Sequence, residues 1–221
     1  MFAGHLGAGL ALARTSREVN VGAFIAAALL LDLLLWAFIL LGWESVTLPA
    51  NFSVTHQPEF DFPWTHGLVA ATGWSLVAAA IAFAAFARHR ARRMRVAAAL
   101  AAAVFSHWLL DFVVHQPEMP MAGAASHRVG LGLWNHMLLA MALESVLTFA
   151  GLWLFLAGGG WPRGRASALA LLVAITWVFT LLGMTVAPPP PSPFAMAASS
   201  LATLAVVCAF ASWLGRRGPT G

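Results

Sequence analysis

The stretch Ser106 to His115, Ser-His-Trp-Leu-Leu-Asp-Phe-Val-Val-His, is an apolar run that carries His107, Asp111 and His115 at strict four-residue spacing. On a helix these side chains stack on one face, one turn apart. Imidazole and carboxylate are the groups that ligate a divalent metal, exchange protons or form hydrogen-bonded ion pairs. Inside a lipid-embedded segment such groups are costly and point to function by default. The chain holds more of them in apolar surroundings: His5, Asp32 in Leu-Leu-Leu-Asp-Leu-Leu-Leu-Trp, His66 in Trp-Thr-His-Gly, and His136 and Glu144 further on.

The elements that must position them are read from composition. The 221 residues are 61% hydrophobic and 9% charged, and the mean hydropathy is +0.82. Soluble domains carry roughly 25% charged residues, so the chain reads as an integral membrane protein. All twelve basic residues are Arg and no Tyr is present, a bias that fits a GC-rich bacterial genome. The Arg residues sit in short clusters between apolar runs, the pattern of membrane topology and not of a nucleic-acid-binding face. Cys208 is the single cysteine, which excludes an intrachain disulfide and a thiolate metal site.

Residues 2–13 form a short apolar helix bearing His5. Their length suits a re-entrant or interfacial helix better than a span, and no basic segment precedes them as a signal peptide would require. Six spans are expected over about 22–42, 67–87, 96–115, 131–157, 168–187 and 194–214. The first has Asp32 at its centre. The loop 43–66 holds Glu44, His56, Glu59, Asp61 and His66, and the loop 116–130 holds Glu118, His127 and Arg128. Arg14 and Arg17, the cluster 88–95 with His89, Arg163 and Arg165, and Arg216 and Arg217 fall on alternate sides of six spans. The positive-inside rule therefore puts that face, with both chain ends, in the cytoplasm of a bacterial inner membrane. The chain reads as one membrane domain, 1–221. Residues 1–157 carry the site, and 158–221 supply a basic turn and two apolar scaffold helices.

With this topology His66, His107, Asp111, Asp32, His136 and Glu144 converge in the outer half of the bundle. An unpaired mid-bilayer carboxylate costs about 2.5–3.5 kcal/mol, so several such groups on separate helices call for mutual pairing or a shared cation. His and carboxylate ligands without thiolate suit zinc best, with manganese or iron also accommodated. His66, His107 and Asp111 supply three ligands, and Asp32 a fourth or a carboxylate that orients one. His5 joins the set if its helix dips inward. Asp32, His115 and Glu144 are the candidates for proton transfer, with His115 at the membrane edge. His56, Glu59, Asp61 and His127 are expected to be solvated loop residues.

Taken together, Gly-His5, Asp32, Trp-Thr-His66-Gly and Ser-His107-Trp-Leu-Leu-Asp111 resemble the membrane-bound predicted metal-dependent hydrolases of bacterial inner membranes. A closer likeness is to uncharacterised bacterial polytopic membrane proteins that share Ser-His-Trp-Leu-Leu-Asp, His115-Gln-Pro117-Glu118-Met-Pro120 and Val129-Gly-Leu-Gly-Leu-Trp134-Asn135. The resemblance covers about residues 1–150 and implies His/Asp metal ligands and phosphoester hydrolysis. The chain departs from the hydrolase pattern at Leu34, where the family often has a second acid that a two-metal scheme would use. It departs again at Gly67, where the family often has Ser.

The function expected is a metal-dependent hydrolase acting on a phosphoester or lipid-like substrate at the outer face. Two other readings fit the same residues. A cation or small-solute permease would use Asp32 and Glu144 near mid-depth, and a non-catalytic scaffold would use the polar seam only to set helix packing.

Overall fold

In lipid every backbone polar group must be bonded within the chain, which leaves helices as the form for long apolar runs. The computed structural model describes residues 1–86 and 90–216, without the side chains of residues 90 and 91. Arg88, His89 and Arg217, all expected to mark the basic face, lie outside the described residues. In chain order the α-helices among the described residues are α1 (Phe2–Ala13), α2 (Val21–Ala28), α3 (Leu30–Leu40), α4 (Phe52–Thr55), α5 (Leu68–Ala85), α6 (Arg90–Val114), α7 (Met137–Ala157), α8 (Arg163–Thr185) and α9 (Pro193–Leu214). Five helices are long and apolar enough to cross a membrane, and their most apolar stretches are only 17–39% buried. Large apolar side chains such as Leu76, Ile81, Leu138, Trp153, Ile175 and Val206 therefore face outward, as lipid contact requires.

The expected first span is not one helix. It breaks at Leu29 into α2 and α3, which meet at a bend of 55°, and the two together qualify as a sixth span. Residues 23–41 contain neither Pro nor Gly. The cause is tertiary: His107 Nδ1 lies 2.7 Å from the Ala28 carbonyl oxygen. A side chain that claims a main-chain carbonyl is one of the recognised origins of a kink. Asp32, read from sequence as mid-helix, stands instead in the first turn of α3.

α1 is encased by α7, α2, α6 and α8; Ala3, His5, Leu6 and Leu10 are fully buried. Its approach to α7 depends on two glycines. A Cβ on Gly7 would lie 2.2 Å from the Leu147 carbonyl oxygen, and one on Gly151 would lie 2.0 Å from the Gly7 oxygen. This is the small-residue contact by which helices in membranes pack backbone to backbone. Twelve residues of helix extend about 18 Å, so α1 reaches from the Arg-rich end of the bundle to its interior. At the Arg-rich end, Arg14 donates to the Leu154 oxygen, Arg17 to the Phe155 oxygen and Arg95 to Glu18.

The opposite end is capped by structured loops. Strands β1 (Ser45–Thr47) and β2 (Glu59–Asp61) pair antiparallel, as do β3 (Met119–Pro120) and β4 (Arg128–Val129). The loops are tied together by Arg128 to Asp61 at 2.8 Å, Phe60 N–H to Glu118 at 3.2 Å and Gln57 to the Trp134 oxygen at 2.9 Å.

Candidate metal centre

Four acceptor atoms from three places in the chain meet between the helices. His66 comes from the turn before α5, His107 and Asp111 from α6, and Asp32 from the start of α3. His66 Nε2 is 3.2 Å from His107 Nε2. Asp111 Oδ2 is 3.3 Å from the first and 3.1 Å from the second. Asp32 Oδ1 is 3.7 and 3.6 Å from the same two nitrogens. Zinc bonds of about 2.0–2.1 Å at tetrahedral angles would hold ligand atoms roughly 3.3–3.4 Å apart. His66, His107 and Asp111 are buried, and the Asp32 side chain is 19% exposed. A second, overlapping set, His5, Asp32 and His107, also brings three ligand atoms within 4.8 Å of one another. These buried His and Asp groups can hold a metal ion.

The other contacts of each ring assign its tautomer. His107 Nδ1–H donates to the Ala28 oxygen, so its Nε2 presents a lone pair to the cluster. His66 Nδ1 lies 2.8 Å from Thr65 Oγ1, and the Thr65 hydroxyl donates to Glu44 Oε2 at 2.8 Å. Thr65 Oγ1 then accepts from His66 Nδ1–H, and the His66 Nε2 lone pair also faces inward. Two imidazole lone pairs and two carboxylates thus converge without a hydrogen between them. A cation is what such a group of acceptors requires, a metal ion or a proton on one ring. A ring nitrogen bonded away from a metal through a carbonyl or carboxylate is the usual way of fixing a ligand imidazole.

His5 sits against this cluster. Its ring stacks on that of His107, with centroids 3.7 Å apart and planes 10° apart, and its Nε2 is 3.0 Å from Asp111 Oδ1. The Met1 nitrogen is 3.4 Å from the same oxygen. Asp111 therefore turns one oxygen to His5 and the other to His66 and His107.

His115 is 5% exposed. Its Nε2 is 3.8 Å from Asp111 Oδ2, and its Nδ1 is 2.6 Å from Glu118 Oε1. Nδ1–H donates to Glu118, and Nε2 faces Asp111. Glu144 is buried and accepts the Gly4 N–H at 3.1 Å, so it serves one of the unpaired donors in the first turn of α1. His136 and His127 are exposed and stand apart from the cluster, as do Glu59 and Asp61 on β2.

Three participants were not legible from sequence as site residues. Glu44 is buried and accepts from Trp64 N–H, Thr65 N–H and the Thr65 hydroxyl at 2.8–2.9 Å. Burial pushes its carboxyl above the ordinary 4.5, countered in part by the Thr65 and Trp64 donors. Thr65 and Glu118 complete the set. His56, expected to be solvated, is instead buried at 9% exposure. It holds a left-handed backbone with φ of 52°, uncommon for any residue but Gly.

A cavity of about 270 Å³ opens beside the cluster. Asp32, His66, Asp111 and His115 form one part of its wall, and Trp36, Phe60, Phe62 and Trp134 another. Met1, Phe2 and Glu144 contribute further wall, as do Phe179, Thr180 and Gly183 on α8 and Met196, Ser200 and Thr203 on α9. The last two helices, expected to be scaffold, are thus walls of the cavity. The sequence pattern missed this because cavity-lining apolar residues look like any others. Two lining residues, His56 and Trp134, each bury a ring nitrogen that has no partner among the described residues, an arrangement that costs about 1–3 kcal/mol unless a bound group meets it.

No protein-family model matches the chain, and neither curated proteins nor solved structures yield a match.

Proposed function

We propose that this protein is a membrane-embedded hydrolase that uses one divalent metal ion, zinc by preference, held by His66, His107, Asp111 and Asp32. The observation that carries the reading is the convergence of four acceptor atoms at separations of 3.1–3.7 Å in a buried pocket. Two imidazoles and two carboxylates without thiolate suit zinc, with manganese or iron as alternatives. His5 acts through Asp111, to which it is bonded, or enters as a ligand in the overlapping set. Among the four, Asp32 has the longest separations and the most exposure. It is the group that would yield a coordination position to water or hold that water by a hydrogen bond.

A metal here would lower the pKa of bound water to about 7 and polarise the scissile group. His115, with Nδ1–H fixed by Glu118, supplies a base near the cluster for transferring the proton to the leaving group. The Arg-rich end faces the cytoplasm and the loop-capped end the outside of a bacterial inner membrane, following the distribution of positive charge. Transport is the less favoured reading. Leu6, Leu10, Phe24, Ile25 and Leu31 are fully buried in the apolar core and offer a solute no polar path toward the Arg-rich end.

The test is elemental analysis of detergent-purified protein. About one zinc per chain is expected in the wild type, with at least a fivefold loss in His107→Ala and Asp111→Ala. Equal, substoichiometric metal in all three proteins, each still folded by thermal melting, would overturn the proposal.

A further inference from the structure

The cavity has features that bear on what the centre acts upon, an inference that rests on the hydrolase reading above. At one end lie Asp32, His66 and Asp111, and at the other the outer halves of α8 and α9. Gly183 and Phe179 line it and are exposed, Phe179 at 56%. The cavity is therefore open beside α8, and α9 lines it as well. A water molecule's share of liquid is about 30 Å³ and a methylene is of similar size. The 270 Å³ therefore corresponds to about nine such units, enough for one hydrocarbon chain of medium length.

Charge narrows the head group. Asp32, Asp111 and Glu144 are on the wall, whereas none of the described Arg residues is, and the chain has no Lys. The basic groups present are the imidazoles of His56, His66 and His115 and the Met1 ammonium, which Asp111 holds at 3.4 Å. Arg128, on the same loop-capped end, is committed to Asp61 and to the Glu118 oxygen. Sites that handle phosphoryl groups surround their charge with Arg, Lys or several metal ions. One dication and the Met1 ammonium balance Asp32, Asp111 and Glu144 and leave nothing for a further dianion. An uncharged head, by contrast, would find the unpaired indole N–H of Trp134 and the His56 nitrogen.

We infer that the substrate is a neutral single-chain acyl ester that enters from the lipid phase, with its tail between α8 and α9 and its carbonyl at the metal. In the reaction the oxygen of water bonds to the carbonyl carbon and the C–O bond to the alcohol breaks. The proton of the water passes to the leaving oxygen through His115, giving a carboxylic acid and an alcohol.

The test uses two photoreactive probes on the full-length protein in lipid nanodiscs. One is the methyl ester of a diazirine-bearing dodecanoic acid, and the other is the phosphate monoester of the matching diazirine alcohol. Peptide mapping is expected to find the ester probe on residues 179–184 and 196–204, at least tenfold above the phosphate probe. A Cβ on Gly183 meets nothing within 4 Å, so Gly183→Trp, checked for folding by thermal melting, should narrow the mouth, and labelling should fall at least fivefold. Ser200→Trp closes the cavity from α9 with the same result. Labelling spread evenly over the outer faces of α5 to α9 and unchanged by both variants would overturn the inference, as would equal labelling by the phosphate probe. Zinc measured on the same samples separates the two readings. Mapped labelling without metal defeats the hydrolase and keeps the tail site, and metal without mapped labelling does the reverse.

Discussion

Thr65 offers the sharpest test of how the centre is held. Its hydroxyl is 2.8 Å from Glu44 Oε2 and 2.8 Å from His66 Nδ1, and both Thr65 and His66 are buried. Thr65→Val keeps the shape and deletes both hydrogen bonds. Glu44 retains the N–H groups of residues 64 and 65 at 2.8 and 2.9 Å, so the loop stays folded. His66 loses the group that fixes its tautomer. Removing such a partner typically lowers metal affinity about 10- to 100-fold, or about 1.4–2.8 kcal/mol. Leaving Nδ1 unpaired in a buried place costs the apoprotein about 1–3 kcal/mol as well. The assay is a zinc competition against a chelator of known affinity in detergent, with thermal melting of the metal-free protein alongside. Thr65→Ser restores the hydroxyl and should recover most of the affinity. If Thr65→Val binds zinc within twofold of wild type while melting lower, Thr65 serves packing alone, and the assignment of the His66 Nε2 lone pair to the cluster falls with it.

The remaining predictions concern the frame around the centre. Gly151→Ala places a methyl 2.0 Å from the Gly7 oxygen, a backbone atom that cannot yield without moving α1. Overpacking of this kind costs about 1–3 kcal/mol or more, and since α1 carries His5, both melting temperature and zinc occupancy should fall. Gly73→Ala in α5 meets nothing within 4 Å and should raise the melting temperature by about 2–4 °C, since Ala is the better helix former by about 1 kcal/mol. A fall for Gly73 equal to that for Gly151 would show that the effect is not the contact. At the Arg-rich end, a hydrogen bond from its own backbone amide, aided by Arg95, holds the Glu18 carboxyl below its ordinary 4.5. A depressed carboxyl stabilises the fold above the unfolded value and loses that effect as pH falls through the folded one. Glu18→Gln should therefore melt slightly lower than wild type at pH 7, by no more than about 1 kcal/mol for so exposed a pair. The difference should shrink as the pH falls through the folded value, and a gap that widens on acidification would refute the assignment.

The long helices were legible because hydropathy alone separates them: α5 and α9 match the expected spans to within two residues, whereas α6 and α8 start earlier than expected, at Arg90 and Arg163, and α7 later, at Met137. The bent pair α2 and α3 was not. A run of Ala and Leu without Pro or Gly gives no local reason to break, and the reason lies some eighty positions away in His107, whose ring claims the Ala28 carbonyl. The loops were opaque for a related cause. Polar residues are ordinary in loops, so Glu44 and Glu118 carried no signal until Thr65 and His115 were found bonded to them.

The break at Leu29 also explains why the centre lies where it does. Had residues 21–40 formed one straight helix, the Ala28 carbonyl would be engaged by the amide of Asp32 in the usual ladder, and His107 Nδ1 would lack its acceptor. Freeing that carbonyl fixes the His107 ring, and starting a new helix at Leu30 sets Asp32 in its first turn, where the positive end of the helix dipole favours a carboxylate. One distortion therefore orients two of the four groups and places them 3.6 Å apart. The four-residue spacing on α6 supplies Asp111, and the Thr65 turn supplies His66. The apolar run around Asp32, expected to be one unbroken span, is thus the one whose interruption makes the centre possible, and its energetic partner is the same His107 that the opening motif brings forward.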